Sequence, residues 1–413
     1  MSAPGSAPTL GLRAPSSTGS TSRAARGSIR RVEAYLDNLA TTPLDPRVLA
    51  VMLPLLSGRP GNPHARIHSW GCQAGDAVDA ARAEVAAVVG VRPEEVVFTP
   101  SATAANNLAI VGIAESRAKK GNHLLISTIE HPSVLEPASA LAERGFDVEW
   151  LPVGADGVVD IEAVRARLRP DTILVSVMAV NNEVGTIQPV AGIRSLLARG
   201  GPVLHVDASQ APGKMPLRPL ALAADLLTLS GHKAYGPKGG AALVVRDRRS
   251  IRPRPLLFGG GQEGGLWPGT VNVPAVVGFG EAMRLCEADL ESDDARITTL
   301  SQALLDAIRE AFPGSARNGD PTRSVPHCLS VTIDGVAGET LVALLAREGV
   351  GAALGSACAT EAAKPSHVLA AMGIDPARAR RTLRFGLGRF TTAEEIAFTA
   401  DVLRIFAARL TRA

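Results

Sequence analysis

Between Val96 and Val245 the chain alternates short apolar runs with longer amphipathic stretches. The runs VVFT (96–99), HLLIST (123–128), VEWLP (148–152), TILVSVMAV (172–180), VLHVDA (203–208), DLLTLS (225–230) and AALVV (241–245) predict seven strands. AANNLAIVGIAESRAKK (104–120) and DIEAVRARL (160–168) carry helical periodicity between them. This alternation predicts an α/β fold, a mostly parallel sheet with helices on both faces. After about Pro274 the rhythm changes. A long helical stretch (276–311) precedes the strand CLSVTI (328–333), the helix GETLVALLAREG (338–349), the strand TLRFGL (382–387) and a last helix over 392–410. The pattern divides the chain into an extension (1–31), a large part (32–275) and a smaller α+β part (276–413). The start of the large part is expected to touch the smaller one.

In open parallel sheets, ligands collect at the carboxyl ends of the strands. Polar residues gather at those ends here: Ser101 and Thr103, Glu130 and His131, Asn181 to Glu183, Asp207 to Gln210, and Ser230 to Lys233. Their placement predicts one shared site.

Charge and composition narrow the function. The net charge of +3 comes from the tail: residues 1–31 hold five arginines and no acid, and without them the remainder sums to −2. A near-neutral body offers no footprint for nucleic acid. No apolar run reaches membrane-spanning length. The four cysteines, Cys72, Cys286, Cys328 and Cys358, show neither metal-ligand spacing nor a disulfide framework, as suits a reducing cytoplasm. The tail, rich in Ser, Ala, Gly, Pro and Arg, reads as a disordered extension. Its composition also matches an organellar transit peptide, but it lacks a clear amphipathic period.

LTLSGHKAYGPKGGAAL (227–243) is the most informative segment. Lys233 follows Ser230, Gly231 and His232 at a strand end and precedes a Gly/Pro-rich turn. Most lysines in such loops are surface residues. A lysine held tightly over a strand end is also where a Schiff-base lysine belongs, its amine desolvated for attack on an aldehyde. The other strand ends supply what pyridoxal phosphate requires. Asp207 can pair with the pyridinium nitrogen and Gln210 with the ring hydroxyl. SATAANN (101–107) opens a helix whose free N–H groups, with the Thr103 hydroxyl, suit a phosphate that Ser230 and His232 flank. His131 can stack on the ring and move protons near neutral pH. Taken singly, an aspartate at a strand end is more often a helix cap and a histidine more often structural; the joint order is more specific.

With those residues in place, the chain from about Tyr35 onward resembles the pyridoxal-phosphate-dependent cysteine desulfurases of the NifS/IscS type, on the class V aminotransferase fold. The resemblance rests on YLDNLATTPLDPRV (35–48), EEVVFTPSATAANNLAI (94–110), VNNEVGTIQP (180–189), HVDASQAPGK (205–214), SGHKAYGPKG (230–239), PGTVNVP (268–274), GSAC (355–358) and LRFGLGRFTT (383–392). It implies a fold type I cofactor domain, Lys233 as the Schiff-base lysine, Asp207 on the pyridinium, Gln210 on the ring hydroxyl and His131 stacked on the ring. It implies Ala102, Thr103, Ser230 and His232 on the phosphate, with Thr270 reaching across from a second subunit of a homodimer. Asn182 and Arg384 would bind the carboxylate of L-cysteine, Arg384 through a bidentate pair. No metal is implied.

The resemblance gives Cys358 its role: attack on the substrate sulfur, leaving a persulfide on Cys358 and releasing L-alanine. Gly355, Ser356, Ala357 and Ala359 leave the thiol accessible, and Lys364 and His367 lie near it in sequence. The other reading of Cys358 is a small buried residue. GSACATEAAKPSHVLAAMG (355–373) resembles the longer, more mobile type of cysteine loop, suited to handing sulfur to a protein acceptor such as an iron–sulfur scaffold or a thiolation relay. Departures from the family pattern fall at Ala104, Gly264 and Trp267, and at His64 and Ala65. A selenocysteine lyase or an aminotransferase would use the same scaffold, the latter without need of Cys358. A sulfur-relay protein that keeps the fold would need no cofactor.

Overall fold

A computed structural model describes residues 32–355 and 366–410; the extension 1–31, Cys358 and Lys364 lie outside the described residues. Glu33–Ala413 forms one compact unit. Its strands are β1 (Ala34–Tyr35), β2 (Val96–Thr99), β3 (His123–Ser127), β4 (Asp147–Leu151), β5 (Thr172–Ser176), β6 (Val203–Asp207), β7 (Leu226–Ser230), β8 (Ala241–Val245), β9 (Ala316–Arg317), β10 (Cys328–Thr332), β11 (Val350–Gly351) and β12 (Thr382–Gly386). The helices of the first two-thirds are α1 (Pro46–Ser57), α2 (Ser69–Val89), α3 (Ala102–Arg117), α4 (Pro132–Glu143), α5 (Ile161–Arg167), α6 (Val190–Leu196) and α7 (Arg218–Ala223). They are followed by α8 (Val273–Ala288), α9 (Leu290–Ala311), α10 (Gly338–Arg347), α11 (His367–Ala371), α12 (Pro376–Ala379) and α13 (Ala393–Leu410).

The main sheet has seven strands in the order β2-β8-β7-β6-β5-β3-β4. Only β8 opposes the others, being antiparallel to both β2 and β7. Strand side chains alternate between faces with a period of two. Accordingly Val96, Phe98, Leu204, Val206, Leu227 and Leu229 join one core with residues of α2, α6, α7 and α8. Val97, Val203, Leu226 and Leu243 join a second core with residues of α3 and α4. Both faces are covered, which is why the strands read as apolar runs.

Two expectations need correction. The run 172–180 is a strand only to Ser176: beyond it Val177 and Ala179 still donate to the His205 and Asp207 carbonyls of β6, but the Met178 amide donates to Glu130 Oε1 at 2.5 Å instead of to a neighbouring strand. The helical stretch 276–311 is two helices, broken at Asp289 (φ −97°, ψ 0°). The Asp289 carboxylate there accepts from Arg47 Nη2 at 2.8 Å.

A third core brings α9, α10 and α13 together with β1, β10 and β12. It covers one face of the antiparallel sheet β12-β10-β9. On β12, Leu383 and Phe385 enter this core. The same alternation turns Arg384 to the opposite face, toward the carboxyl ends of the main sheet.

Arg389, just past β12, ties these parts together. Its Nε donates to Asp293 Oδ2 on α9 at 2.8 Å and its Nη1 to Asp45 Oδ2, the α1 cap, at 3.1 Å. The guanidinium lies 4.6 Å from the Tyr235 ring centroid. Tyr235 holds φ +61° in the turn after Lys233, an uncommon conformation for a non-glycine residue. Its hydroxyl accepts from the Arg389 amide at 2.6 Å. Arg389→Ala strands two buried carboxylates, and only Arg47 and Arg296 remain to face them. The expected loss is about 3 kcal/mol, read from chemical denaturation. A loss below about 1 kcal/mol would contradict this role.

Candidate active site

The carboxyl ends of β2, β3, β5, β6 and β7 open onto a cavity of about 230 Å³ that Arg384 closes from the β12 side. Asp207, the last residue of β6, is its buried anion. Oδ1 accepts from the Ser209 amide at 2.9 Å and hydroxyl at 2.5 Å, and Oδ2 accepts from Asn106 Nδ2 at 2.8 Å. Burial alone would raise the Asp207 pKa. The Ser209 donors, the Lys233 charge and Asn106 outweigh it and hold the group below its ordinary value.

The second Asn106 N–H continues the network, donating to Ser133 Oγ at 2.8 Å. Ser133 lies 2.8 Å through its hydroxyl and 3.1 Å through its amide from His131 Nδ1. His131 thereby caps α4, with Pro132 as the first helical residue supplying no competing N–H. Burial, then the Lys233 charge, push the His131 pKa down to about 4. The imidazole is therefore neutral at pH 7.

Lys233 lines the cavity beside Asp207 and His131. Its turn is anchored from below: the His232 carbonyl accepts from the Thr42 amide at 2.9 Å and hydroxyl at 3.0 Å. The Lys233 carbonyl accepts from buried Lys214 Nζ at 3.2 Å. Burial and the Lys233 charge push the His232 pKa down to about 4, and its Nδ1 lies 3.1 Å from Thr41 Oγ1. Opposite, Ser101 caps α3 by accepting from the Ala104 amide at 3.1 Å. This leaves the first-turn amides of Ala102 and Thr103 at the cavity wall. Ser230 Oγ is buried and has no hydrogen-bond partner among the described residues.

Arg384 is 1% exposed. Nη1 donates to the Asn182 carbonyl at 2.8 Å and Nη2 to Asp37 Oδ1 at 2.8 Å, while Nε has no partner. A guanidinium carries five N–H groups, so capacity for a carboxylate remains.

Ala102, Thr103, His131, Asn182, Asp207, Ser230, His232, Lys233 and Arg384 thus share one cavity. Gln210 does not line it: its Nε2 donates to the Leu39 carbonyl at 2.9 Å, and its Oε1 is buried without a partner. Thr270 is exposed and apart from the cavity. Cys358 lies outside the described residues. Asn106, Ser133, Ser209 and Asp37 escaped the sequence reading. Asn106 lies among the buried residues of α3, next to the apolar run Leu108–Ile110.

Two buried carboxyl groups border the site. Glu130 Oε2 has no partner, and burial, with the nearby Asp207 charge, drives its pKa well above the carboxylate range. Glu183 Oε2 accepts from Ser366 Oγ at 2.5 Å. A Cβ on Gly355 (φ +34°) would stand 2.8 Å from the same oxygen, so only glycine fits there. Gly264 holds φ +65°, a left-handed conformation that favours glycine.

Residues 34–398 match the family model of the class-V aminotransferases. The human cysteine desulfurase is 42% identical over 96% of this chain and 88% of its own length. The cysteine desulfurase IscS of Salmonella arizonae is 43% identical over 91% of this chain and 93% of its own. Among solved structures, a NifS-like protein superposes with a TM-score of 0.85 at 35% identity, covering 92% of this chain and all (100%) of that one. SspA in complex with cysteine gives 0.76 at 35% identity, covering 87% of this chain and 100% of that one.

The neutral histidines set a pH dependence. His131, His205 and His232 have folded pKa values near 4 against an ordinary 6.5, all chiefly through burial. Unfolding between those values takes up a proton at each, so their stabilisation is full above pH 6.5 and is lost as pH falls toward 4. Each contributes a slope of about 1.4 kcal/mol per pH unit within the window. Glu130, whose pKa burial and then the Asp207 charge push up, opposes them. Denaturant midpoints measured from pH 7 to 4.5 should fall steadily. A flat profile would show that the histidines are not held neutral.

Proposed function

The chain belongs to the class-V aminotransferase family and, within it, to the cysteine desulfurases, and from that premise we propose that its cavity holds pyridoxal phosphate on Lys233 and receives L-cysteine. Its activity is the conversion of L-cysteine to L-alanine, with the sulfur carried away as a protein-bound persulfide. The observation that carries the cofactor reading is the meeting of Lys233, Asp207, His131 and the α3 N-terminus in one cavity.

The residues fit the group. The unpartnered Ser230 hydroxyl and the first-turn amides of α3 suit its phosphate. Asp207, kept anionic, suits a protonated ring nitrogen. When bound, the cofactor supplies an aldehyde carbon for amines and a ring that withdraws electrons. Lys233 would hold that carbon through its amine, and Asp207 would hold the proton on the ring nitrogen. Arg384 and Asn182 orient the substrate carboxylate. The Cys358 thiolate then attacks the substrate sulfur: an S–S bond forms, the C–S bond breaks, and the carbon left with the electron pair takes a proton to give L-alanine.

The reading extends to a homodimer, because Thr270 is exposed and away from its own chain's cavity, as a residue offered to a second copy would be. Residues 32–275 serve as the cofactor-binding part, and 276–413 as the smaller part that supplies Arg384 and the cysteine loop. The near-neutral body and scattered thiols support a cytoplasmic enzyme that hands sulfur to a protein acceptor, with no nucleic-acid contact and no membrane. An iron–sulfur scaffold or thiolation relay is the acceptor class it suits.

Alanine and sulfide released from L-cysteine and dithiothreitol, with visible spectra, test the reading. Wild type should be yellow and form both products; Cys358→Ala should be yellow and form almost none. Lys233→Ala should lose the yellow band. Arg384→Ala should raise KM by about 10- to 100-fold, the loss of a charge-assisted pair worth roughly 1.5–3 kcal/mol. A yellow wild type that forms no sulfide would sink the desulfurase reading.

A further inference from the structure

Three imidazoles line the cavity, and the hydrogen bonds of two of them, His131 and His367, fix those rings in different roles. At His131, Nδ1 faces the Ser133 amide at 3.1 Å, and an amide can only donate. The Ser133 hydroxyl, 2.8 Å from the same nitrogen, already accepts from Asn106 Nδ2, so its own hydrogen is free to point at Nδ1. Neutral His131 therefore carries its proton on Nε2. Toward a ligand it is a donor, and it has no lone pair left to act as a base.

His367, the first residue of α11, is held the other way round. Its Nε2 lies 2.9 Å from the Glu130 carbonyl oxygen, which can only accept, so Nε2 carries the hydrogen. The neutral ring is left with an unprotonated Nδ1, which has no hydrogen-bond partner among the described residues. The ring lines the cavity near enough to His131 for its charge to disfavour a proton there.

We propose that His367, through Nδ1, is the base of this cavity and takes the ammonium proton of the entering amino acid, while His131 serves as a hydrogen-bond donor. The proposal rests on the amino-acid-binding reading of the cavity. L-cysteine arrives as an ammonium ion and must become a neutral amine before it can displace Lys233. The N–H bond breaks, its electron pair stays on the substrate nitrogen, and the proton bonds to Nδ1. The resulting imidazolium keeps its Nε2–H bond to the Glu130 carbonyl. The other charged or titratable groups at the cavity are already engaged: Asp207 accepts three hydrogen bonds, Arg384 pairs with Asp37, and Lys233 holds the cofactor. His232 Nδ1 faces Thr41. Glu183 is the competitor, because Oε2 accepts from Ser366 while Oε1 is unpartnered. Glu130 has its pKa pushed up by burial and its carboxyl turned to the Met178 amide.

Two measurements decide the matter. In the purified full-length chain labelled with [15N]histidine, long-range 1H–15N spectra, assigned by deletion of each ring, should show both His131 and His367 as the Nε2–H tautomer. An Nδ1–H tautomer at His367 would overturn the proposal. The second measurement follows the visible spectral change when L-alanine is added to the cofactor-loaded enzyme. L-alanine must lose the same ammonium proton but has no thiol. His367→Ala should slow this change at pH 7 by about 100-fold, and free imidazole should restore part of it. His367→Asn, which keeps an acceptor without a base, should be as slow. A wild-type rate in His367→Ala, or a loss that imidazole does not restore, would overturn the assignment. A large loss in Glu183→Gln with none in His367→Ala would give the role to Glu183. A chain that responds to L-alanine yet makes no sulfide would sink the desulfurase reading and leave the histidine assignment standing.

Discussion

The site is organised by one buried negative charge. A carboxylate at the end of a central strand is costly to bury, and it remains ionised only because it is surrounded by donors and faces a cation. Asp207 accepts from Ser209 twice and from Asn106 once, and Lys233 supplies the cation. Each partner passes the constraint on. Asn106 has two N–H groups, so fixing one on Asp207 aims the other at Ser133, and Ser133 in turn fixes the proton on His131. The same charge adds to burial in pushing the Glu130 pKa up, which disfavours a second anion beneath the cavity. A ring with a cationic nitrogen would meet one fixed anion, one fixed donor and one lysine.

The smaller antiparallel sheet enters the site through a single residue. Arg384 reaches back to Asp37 and to the Asn182 carbonyl, so the segment after β1, the segment after β5 and β12 meet at one guanidinium. Ala353 pairs with the Arg384 backbone in both directions, at 3.1 and 2.7 Å. The segment that continues to Gly355 therefore leaves directly from the arginine, and the chain returns at Ser366 on the Glu183 carboxylate. The entry and exit of the cysteine segment are both fixed to residues of the cavity wall.

Much of this was legible in advance because it depends on short-range pattern. A sheet covered on both faces must be built from apolar runs, and all seven runs became strands with ends displaced by a few residues at most. Helix caps are local as well: Ser101 and His131 stand immediately before the helices they cap. The errors arose where a distant group intervened. The Glu130 carboxyl takes the Met178 amide from the 172–180 run, and the 276–311 stretch divides at Asp289, whose carboxylate pairs with Arg47.

By itself the sequence determined the α/β class, the order of strands and helices, and the set of reactive residues at strand ends, because periodicity and motif spacing act between neighbours in the chain. Tertiary structure alone decided which of those residues share a cavity and in what state. Gln210 turned to the Leu39 carbonyl, Arg384 took Asp37 as its counter-ion, and burial moved His131 to about pKa 4. His367, in sequence only a neighbour of Cys358, became a cavity residue because Glu130, 237 positions away, offered it a carbonyl. Protonation state and tautomer depend on what surrounds a group in space, and nothing in its sequence neighbourhood encodes that.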